Sequence, residues 1–323
     1  MPHKKIIILL TLLELLTLPM TSIGAEQAPS VPCDRTCLTN HVDAYVNALS
    51  ARNPALAEFA QDARFTENGV ELALGDAAWT TVDSMSPKRL IFTDPELGST
   101  VLFASIVENG QPAMLAARLK IRQHEIAELE TMITRKRDGF FSPETYAVDR
   151  PYWSQPARKS ERLGRDELVK IVDSYFNGIV EGRGDITPFV DDCMRYENGV
   201  LSNLNPELAT ESSNIRALSC HDQFASGMLV IVTSITNRRY FLIDEERQIV
   251  VAAVTFNHRG NILEVERSDG GGVFVATPQL RQPYSLMIME AFKLEDGKIR
   301  QIEAILQNVP YKMPLGWPLD MTR

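Results

Sequence analysis

A chain that writes one six-residue pattern twice, at a fixed distance, is constrained before any single residue is interpreted. Phe65-Thr66-Glu67-Asn68-Gly69-Val70 returns as Arg195-Tyr196-Glu197-Asn198-Gly199-Val200. Laying residues 43–70 on 173–200 at an offset of 130 also brings Asp43, Tyr45, Asn47, Phe59 and Asp62 onto identical residues without a gap. The chain therefore reads as a duplication, and each copy is expected to run through the same order of elements.

In the first copy Leu38, Val42, Tyr45, Val46 and Leu49 recur at three and four, the period of an amphipathic helix, and Asn53-Pro54 stops it. A second short helix is expected through Leu56, Phe59 and Ala60, then the Asn-Gly turn and a polar stretch around Trp79 and Asp83. Strand-like runs follow from Leu90 to Phe92, Val101 to Phe103, Ala113 to Ile121 and Ile126 to Ile133. The second copy repeats the plan, with Leu168, Ile171, Val172, Tyr175, Phe176 and Ile179 as first helix and Ile186, Phe189 and Val190 as second. Its strands are expected at Met228–Thr236, Tyr240–Ile243, Ile249–Phe256, Ser285–Leu294 and Ile299–Leu306, the last two joined at Asp296-Gly297. The closing hairpins align at an offset of 173, so the second copy carries 43 extra residues before its final hairpin. Such added material tends to hold loops and sites. Residues 136–165, with Phe140, Phe141, Tyr152 and Trp153, form a connector too aromatic to be only solvated. It is expected to lie across one of the domains as a pocket cover.

Helices followed by a curved antiparallel sheet make an α+β layout, read here as two tandem cone-shaped α+β barrel domains with helices packed on the sheet. The order helix, helix, Phe-x-x-Asp-x-x-x-x-Glu-Asn-Gly, strands, closing hairpin resembles the nuclear transport factor two-like superfamily, which includes SnoaL-like and ketosteroid-isomerase-like proteins. The Cys33-Asp34-Arg35-x-Cys37 start, the run from Arg238 to Arg247 and the Pro310 to Trp317 end further resemble a tandem subgroup of it. The resemblance divides the chain into a leader (1–25), a first SnoaL-like domain (26–135), the connector (136–165) and a second SnoaL-like domain (166–323).

His3, Lys4 and Lys5 ahead of the apolar run Ile6 to Leu18, with Ile23-Gly24-Ala25 as exit, read as a signal peptide cleaved near Ala25. The protein is then exported, periplasmic or secreted, with no membrane attachment after cleavage. A net charge of −9 without a dense Lys/Arg face excludes nucleic acid and anionic membrane as partners. Four cysteines in an exported chain imply two disulfides, with three pairings open to sequence. Cys33 and Cys37 lie four apart at a helix entrance, near bridging distance, which leaves Cys193 and Cys220 to pair. A zinc site using these thiols with His221 lacks the paired short spacings of structural zinc, so no metal is expected. Gly270-Gly271-Gly272 opens no helix, and neither Gly-x-Ser-x-Gly nor His-Glu-x-x-His occurs, so no cofactor is expected.

Glu67 and Glu197 match the position where, the resemblance implies, an acidic residue at the pocket mouth shuttles a proton. A carboxyl facing an apolar cone would be desolvated and its pKa raised. Counting back from Asp296-Gly297 as a two-residue turn sets Phe292 opposite Gln301 and Glu290 opposite Glu303. Two such carboxylates need a proton, a cation between them or a neutralising arginine, Arg238 or Arg239. His221-Asp222 and His258 are candidates for acid or anchor; His124 reads as solvated in a turn, and His41 as a satisfied histidine on the first helix. Trp79, Tyr175, Tyr196 and Tyr240 suit pocket walls, against the plain alternative of core. The leading expectation is a cofactor-independent isomerase or dehydratase acting on a small apolar molecule in the second copy. Glu197 would be base, His221 or His258 acid or anchor, Tyr175 or Tyr196 oxyanion donor, and Glu290 second acid. The alternatives are a binding module for a small ligand, and a structural pseudo-dimer of the chain's own two repeats.

Overall fold

The computed structural model describes Met1 and residues 32–136, 140–209 and 214–318. The leader reading, residues 1–25, lies outside the described residues apart from Met1.

Helix α1 (Arg35–Ser50) starts where the Asp34 carboxylate accepts the Cys37 amide at 2.8 Å, an N-cap that satisfies one orphan donor. A single 3-10 turn, Pro54–Leu56, follows. The chain then enters β1 (Phe59–Glu67), β2 (Val70–Leu72), the one-turn α2 (Ala78–Thr81), β3 (Val82–Asp94), β4 (Ser99–Glu108), β5 (Gln111–Arg122) and β6 (Glu125–Arg135). They form one sheet in the order β2-β1-β6-β5-β4-β3, with β1 parallel to β6 and the other pairs antiparallel. The second half runs through α3 (Arg165–Glu181), β7 (Phe189–Glu197), β8 (Val200–Leu201), α4 (Cys220–Ala225), β9 (Ser234–Asp244) and β10 (Ile249–His258). A small hairpin, β11 (Glu264–Glu266) with β12 (Val273–Val275), precedes β13 (Tyr284–Glu295) and β14 (Lys298–Val309). The second sheet is ordered β8-β7-β14-β13-β10-β9, the same arrangement as the first. Each half is thus an α+β cone, a long helix laid on a curved sheet. Disulfides join Cys33 to Cys37 and Cys193 to Cys220.

Two expectations about elements are corrected. Phe59-Ala60 and Phe189-Val190 begin strands, not second helices. Three apolar residues at helical spacing do not offset the cost of nucleating a helix when a neighbouring strand offers lateral bonds. Met228–Thr236 is not a strand of its own either: Met228–Ile231 is a 3-10 turn, and one strand runs unbroken from Ser234 through Tyr240.

Alternation along each strand gives every sheet two faces. On the first sheet Leu102, Ala104, Leu115 and Ala117 meet Val42 and Tyr45 of α1; on the second, Ala252, Val254, Ile288 and Phe292 meet Val172 and Phe176 of α3. The opposite faces share a third cluster, in which Phe92, Phe103 and Met114 pack in one buried group with Phe241, Val251 and Met289. The connector, expected as a pocket cover, contributes to this middle layer instead. Tyr146 and Trp153 are buried there, Trp153 edge-on to Phe92 at 5.1 Å. Polar clamps tie the halves reciprocally. Arg35, first residue of α1, donates to Asp244 at the end of β9 at 2.7 Å, and Arg165, first residue of α3, donates to Asp94 at the end of β3 at 2.7 Å.

The repeated Glu-Asn-Gly is turn chemistry. Asn68 and Gly69 have φ of 49° and 80°, Asn198 and Gly199 46° and 77°, a pair of left-handed residues as a tight hairpin requires. Each asparagine also completes the backbone of the closing strand: Asn68 Oδ1 accepts from Ile133 N and Asn198 Oδ1 from Leu306 N, both at 2.9 Å. A Cβ on Gly199 would lie 2.0 Å from the Ser142 carbonyl, whereas one on Gly69 would crowd the flexible end of Met313 at 2.9 Å and meet Met287 and the Pro314 carbonyl at an ordinary 3.6 Å. Both glycine-to-alanine changes are expected to cost roughly 1–2 kcal/mol for the left-handed backbone. Gly199→Ala adds displacement of a backbone segment, so its urea midpoint should fall clearly below that of Gly69→Ala; equal midpoints would refute this.

Candidate functional site

The Glu290–Glu303 facing pair does not form. Leu294 pairs with Ile299 as expected, but Lys293 then pairs with Gln301, Phe292 with Ile302 and Glu290 with Ala304. Arg300 is an extra residue in β14, a β-bulge, and a one-residue slip sends every following side chain to the other face. The first hairpin carries the same irregularity: Ile121 pairs with Ile126, Lys120 with Glu128, and Ala127 is passed over. Glu303 consequently faces the layer between the sheets, ion-paired with Arg150 and accepting from Gln301 Nε2 at 2.9 Å; burial pushes its carboxyl pKa up. The proposed neutralising arginines go elsewhere. Arg238 donates to Asp173 at 2.8 Å, and Arg239 crosses to Glu130 of the first half at 3.0 Å.

Glu290 points into the second cone, between Ile288 and Phe292 on its strand. Its side chain is almost fully buried, and Tyr175 Oη donates to its Oε1 at 3.0 Å. Oε2 has no hydrogen-bond partner among the described residues. Burial pushes this carboxyl up to about 8, against the opposing pull of Arg195 and Tyr175. Arg195, on β7, is the hub of the group. Its Nε donates to Tyr175 Oη at 3.1 Å, Nη1 to Gln223 Oε1 at 2.6 Å and Nη2 to Glu197 Oε1 at 3.1 Å. Burial raises the Tyr175 phenol well above its ordinary value, which keeps its proton in place. Glu197, with a side chain 23% exposed, is the solvent end of the chain Glu290–Tyr175–Arg195–Glu197.

The added segment of the second half supports this group. Gln223 comes from α4, and its Nε2 donates to the carbonyls of Ser202 and Ile215 at 2.8 and 3.0 Å. Asn203 accepts the Arg195 amide at 2.8 Å, and the Cys193–Cys220 disulfide pins α4 to β7. Closing a loop of that length contributes about 3–4 kcal/mol on the chain-entropy model. In the first half the corresponding positions are Phe65 for Arg195 and Ala117 for Glu290, and Trp79 packs edge-on against Tyr45 and Phe59 at 5.7 and 6.1 Å.

The other candidates are dispersed. Glu67 is buried, accepts the Ala78 amide at 3.0 Å and lies 3.5 Å from Arg135; burial raises its pKa against those contacts. Tyr240 donates to Asp173, and Tyr196 lies under the Arg150 guanidinium at 4.7 Å on the side away from Glu290. His221 is exposed on α4, with Nδ1 3.0 Å from Asp222, at the rim of a cleft of about 630 Å³ that also includes Asp185 and Lys298. His258 is buried and stacked on Tyr284 at 4.3 Å, and burial lowers its pKa to about 4. It lies six residues along β10 from Ala252, the partner of Glu290, so roughly 20 Å away by strand rise. The structure therefore brings together Glu290, Tyr175 and Glu197, and leaves both histidines outside. Sequence reasoning missed Arg195 and Gln223. One signal was present: Arg195 alternates with Glu197 on the same strand face, and replaces an apolar Phe65 in an otherwise repeated motif.

Among curated proteins none matches this chain significantly. Among solved structures, it is similar to an NTF2-like protein of unknown function from Cytophaga hutchinsonii ATCC 33406, at 14% identity over 30% of this chain and 88% of that one, with a TM-score of 0.26. An NTF-2 like protein of unknown function from Burkholderia xenovorans LB400 is similar at 13% identity over 36% of this chain and 95% of that one, with a TM-score of 0.28. The α+β architecture stands on the two sheets themselves. The family model of the domain of unknown function DUF8021 matches residues 32–133 and 161–306, most of the chain, and the protein therefore belongs to the DUF8021 family.

Proposed function

We propose that the second half, residues 166–323, is a cofactor-independent proton-transfer site of an exported tandem nuclear transport factor two-like protein, an isomerase or dehydratase acting on a small, largely apolar molecule. The observation that carries this reading is Glu290: a buried carboxyl with Oε1 held by Tyr175 and Oε2 without a hydrogen-bond partner among the described residues. In its neutral form the carbonyl oxygen accepts from Tyr175, and the acid proton on Oε2 is free for a ligand oxygen or carbon. When that proton leaves, Tyr175 and the nearby Arg195 stabilise the carboxylate. Glu197, at the solvent end of the group and held by Arg195 at 3.1 Å, takes up the proton that leaves the ligand carbon as Glu290 donates to the ligand oxygen. The first half, 26–135, serves as structural partner across the connector 136–165, since its cone holds Trp79 and lacks the acid and the arginine.

The test is catalysed deuterium exchange at the α-carbon of a panel of apolar ketones and enones, followed by NMR. Glu290→Gln is expected to lower the exchange rate by about 10²–10⁴-fold, the usual worth of a positioned acid–base group. Glu67→Gln should leave it unchanged. Exchange that survives Glu290→Gln, or binding of the panel without exchange by the unaltered protein, sinks the reading in favour of a small-ligand-binding module.

A further inference from the structure

A second cluster of reactive side chains lies in the first half, away from Glu290. Cys33 precedes the N-cap of α1, Cys37 lies in its first turn, and His41 follows one turn later on the same face. His124 arrives from the turn between β5 and β6, where Gln123 and His124 have φ of 53° and 64°. One ligand atom from each of the four lies within 4.8 Å of all the others. Cys37 Sγ and His124 Nδ1 are 3.5 Å apart. Tetrahedral zinc, with Zn–S of about 2.3 Å and Zn–N of about 2.0–2.1 Å, places a sulfur and a nitrogen ligand at that separation, about 3.5 Å.

We propose that, when the Cys33–Cys37 disulfide is reduced, these two thiolates with His41 and His124 form a Cys₂His₂ site for a single zinc ion. Two sulfurs and two imidazoles in tetrahedral reach are a set that zinc prefers over harder cations. The chemistry balances with a dithiol reductant: one of its thiolates attacks a sulfur of the Cys33–Cys37 bond to form a mixed disulfide, and its second thiolate displaces the protein thiol and leaves the reductant as its own disulfide. The chain gains two electrons and two protons as thiols, and zinc displaces both protons. The oxidised chain holds the same helix entrance by the S–S bond, so the site opens only on reduction. Bound metal would then pin the β5–β6 turn to α1.

The experiment uses the whole folded chain, oxidised and after reduction, with Co²⁺ as the spectroscopic probe and Zn²⁺ as competitor. The reduced protein is expected to develop the visible bands of tetrahedral cobalt and a thiolate charge-transfer band, both erased by zinc, while the oxidised protein develops neither. Zinc should slow alkylation of Cys33 and Cys37, read by peptide mapping, by tenfold or more. His124→Ala, in an exposed turn and so safe for folding, should weaken cobalt binding by about a hundredfold or more. Absence of the tetrahedral spectrum when both thiols are free, or a spectrum unchanged in His124→Ala, would overturn the proposal.

Discussion

Glu290→Gln is expected to flatten the dependence of stability on pH between about pH 5 and pH 9, and to leave the variant the more stable protein at the alkaline end. The carboxyl titrates near 4.5 when solvated and is pushed up to about 8 in the folded chain, chiefly by burial and in a smaller part by Glu197. Between those values the folded state holds a proton that the unfolded state has released. Stability from this group is therefore complete below the lower value and is lost as pH rises through the upper one. At about 1.4 kcal/mol per unit, the full swing is on the order of 4–5 kcal/mol. Glutamine cannot ionise, and the difference between the two proteins isolates this residue from the buried Glu67, Glu303 and His258. Urea midpoints at three pH values decide the matter: parallel profiles would mean that Glu290 is ionised in the folded protein at neutral pH. In the acid–base reading, activity of the unaltered protein should also fall above about pH 8, as the proton donor is lost.

Arg239→Ala should destabilise the protein by about 3–5 kcal/mol, because it removes one partner of a buried ion pair and leaves the other charge in place. Arg239 is 1% exposed on β9 and donates through Nη1 and Nη2 to Glu130, on β6 of the other half. Burial pushes the Glu130 carboxyl up, but Arg239 and Arg118 more than offset it, so it is held below the usual range and stays ionised. The double change Arg239→Met with Glu130→Gln removes both charges and should cost less than Arg239→Ala alone. Denaturant unfolding of the three variants measures this. A loss in Arg239→Ala under about 1 kcal/mol would show that the pair does not hold the halves together.

The same residue shows how far the sequence could be followed. Arg239 was expected to answer a carboxylate pair in its own half; it reaches a glutamate 109 positions away. No local pattern predicts such a partner, since it depends on how two sheets are laid face to face. The Glu290 environment divides in the same way. Tyr175 is visible as an inward residue of its helix, whereas the face to which β13 turns Glu290 is not. The bulge at Arg300, which takes Glu303 out of the cone and leaves Glu290 alone with Tyr175, has no signature in the alternating run from Ile299 to Leu306. His221-Asp222 looked like a proton-transfer pair, and its Nδ1 and carboxylate lie 3.0 Å apart, yet α4 presents both to solvent.

What the amino-acid sequence determined by itself was the local and repeated part: the duplication, the long helices, the Asn-Gly turns, the closing hairpins and an even set of four cysteines whose pairing it left open. These follow from periodicity, turn conformations and spacing over a few residues. Tertiary structure alone decided which face each strand turns inward, which arginine meets which carboxylate, and which half keeps a buried acid. Those outcomes hinge on a single bulged residue and on the packing of one sheet against another, and both act over distances along the chain at which side-chain periodicity carries no information.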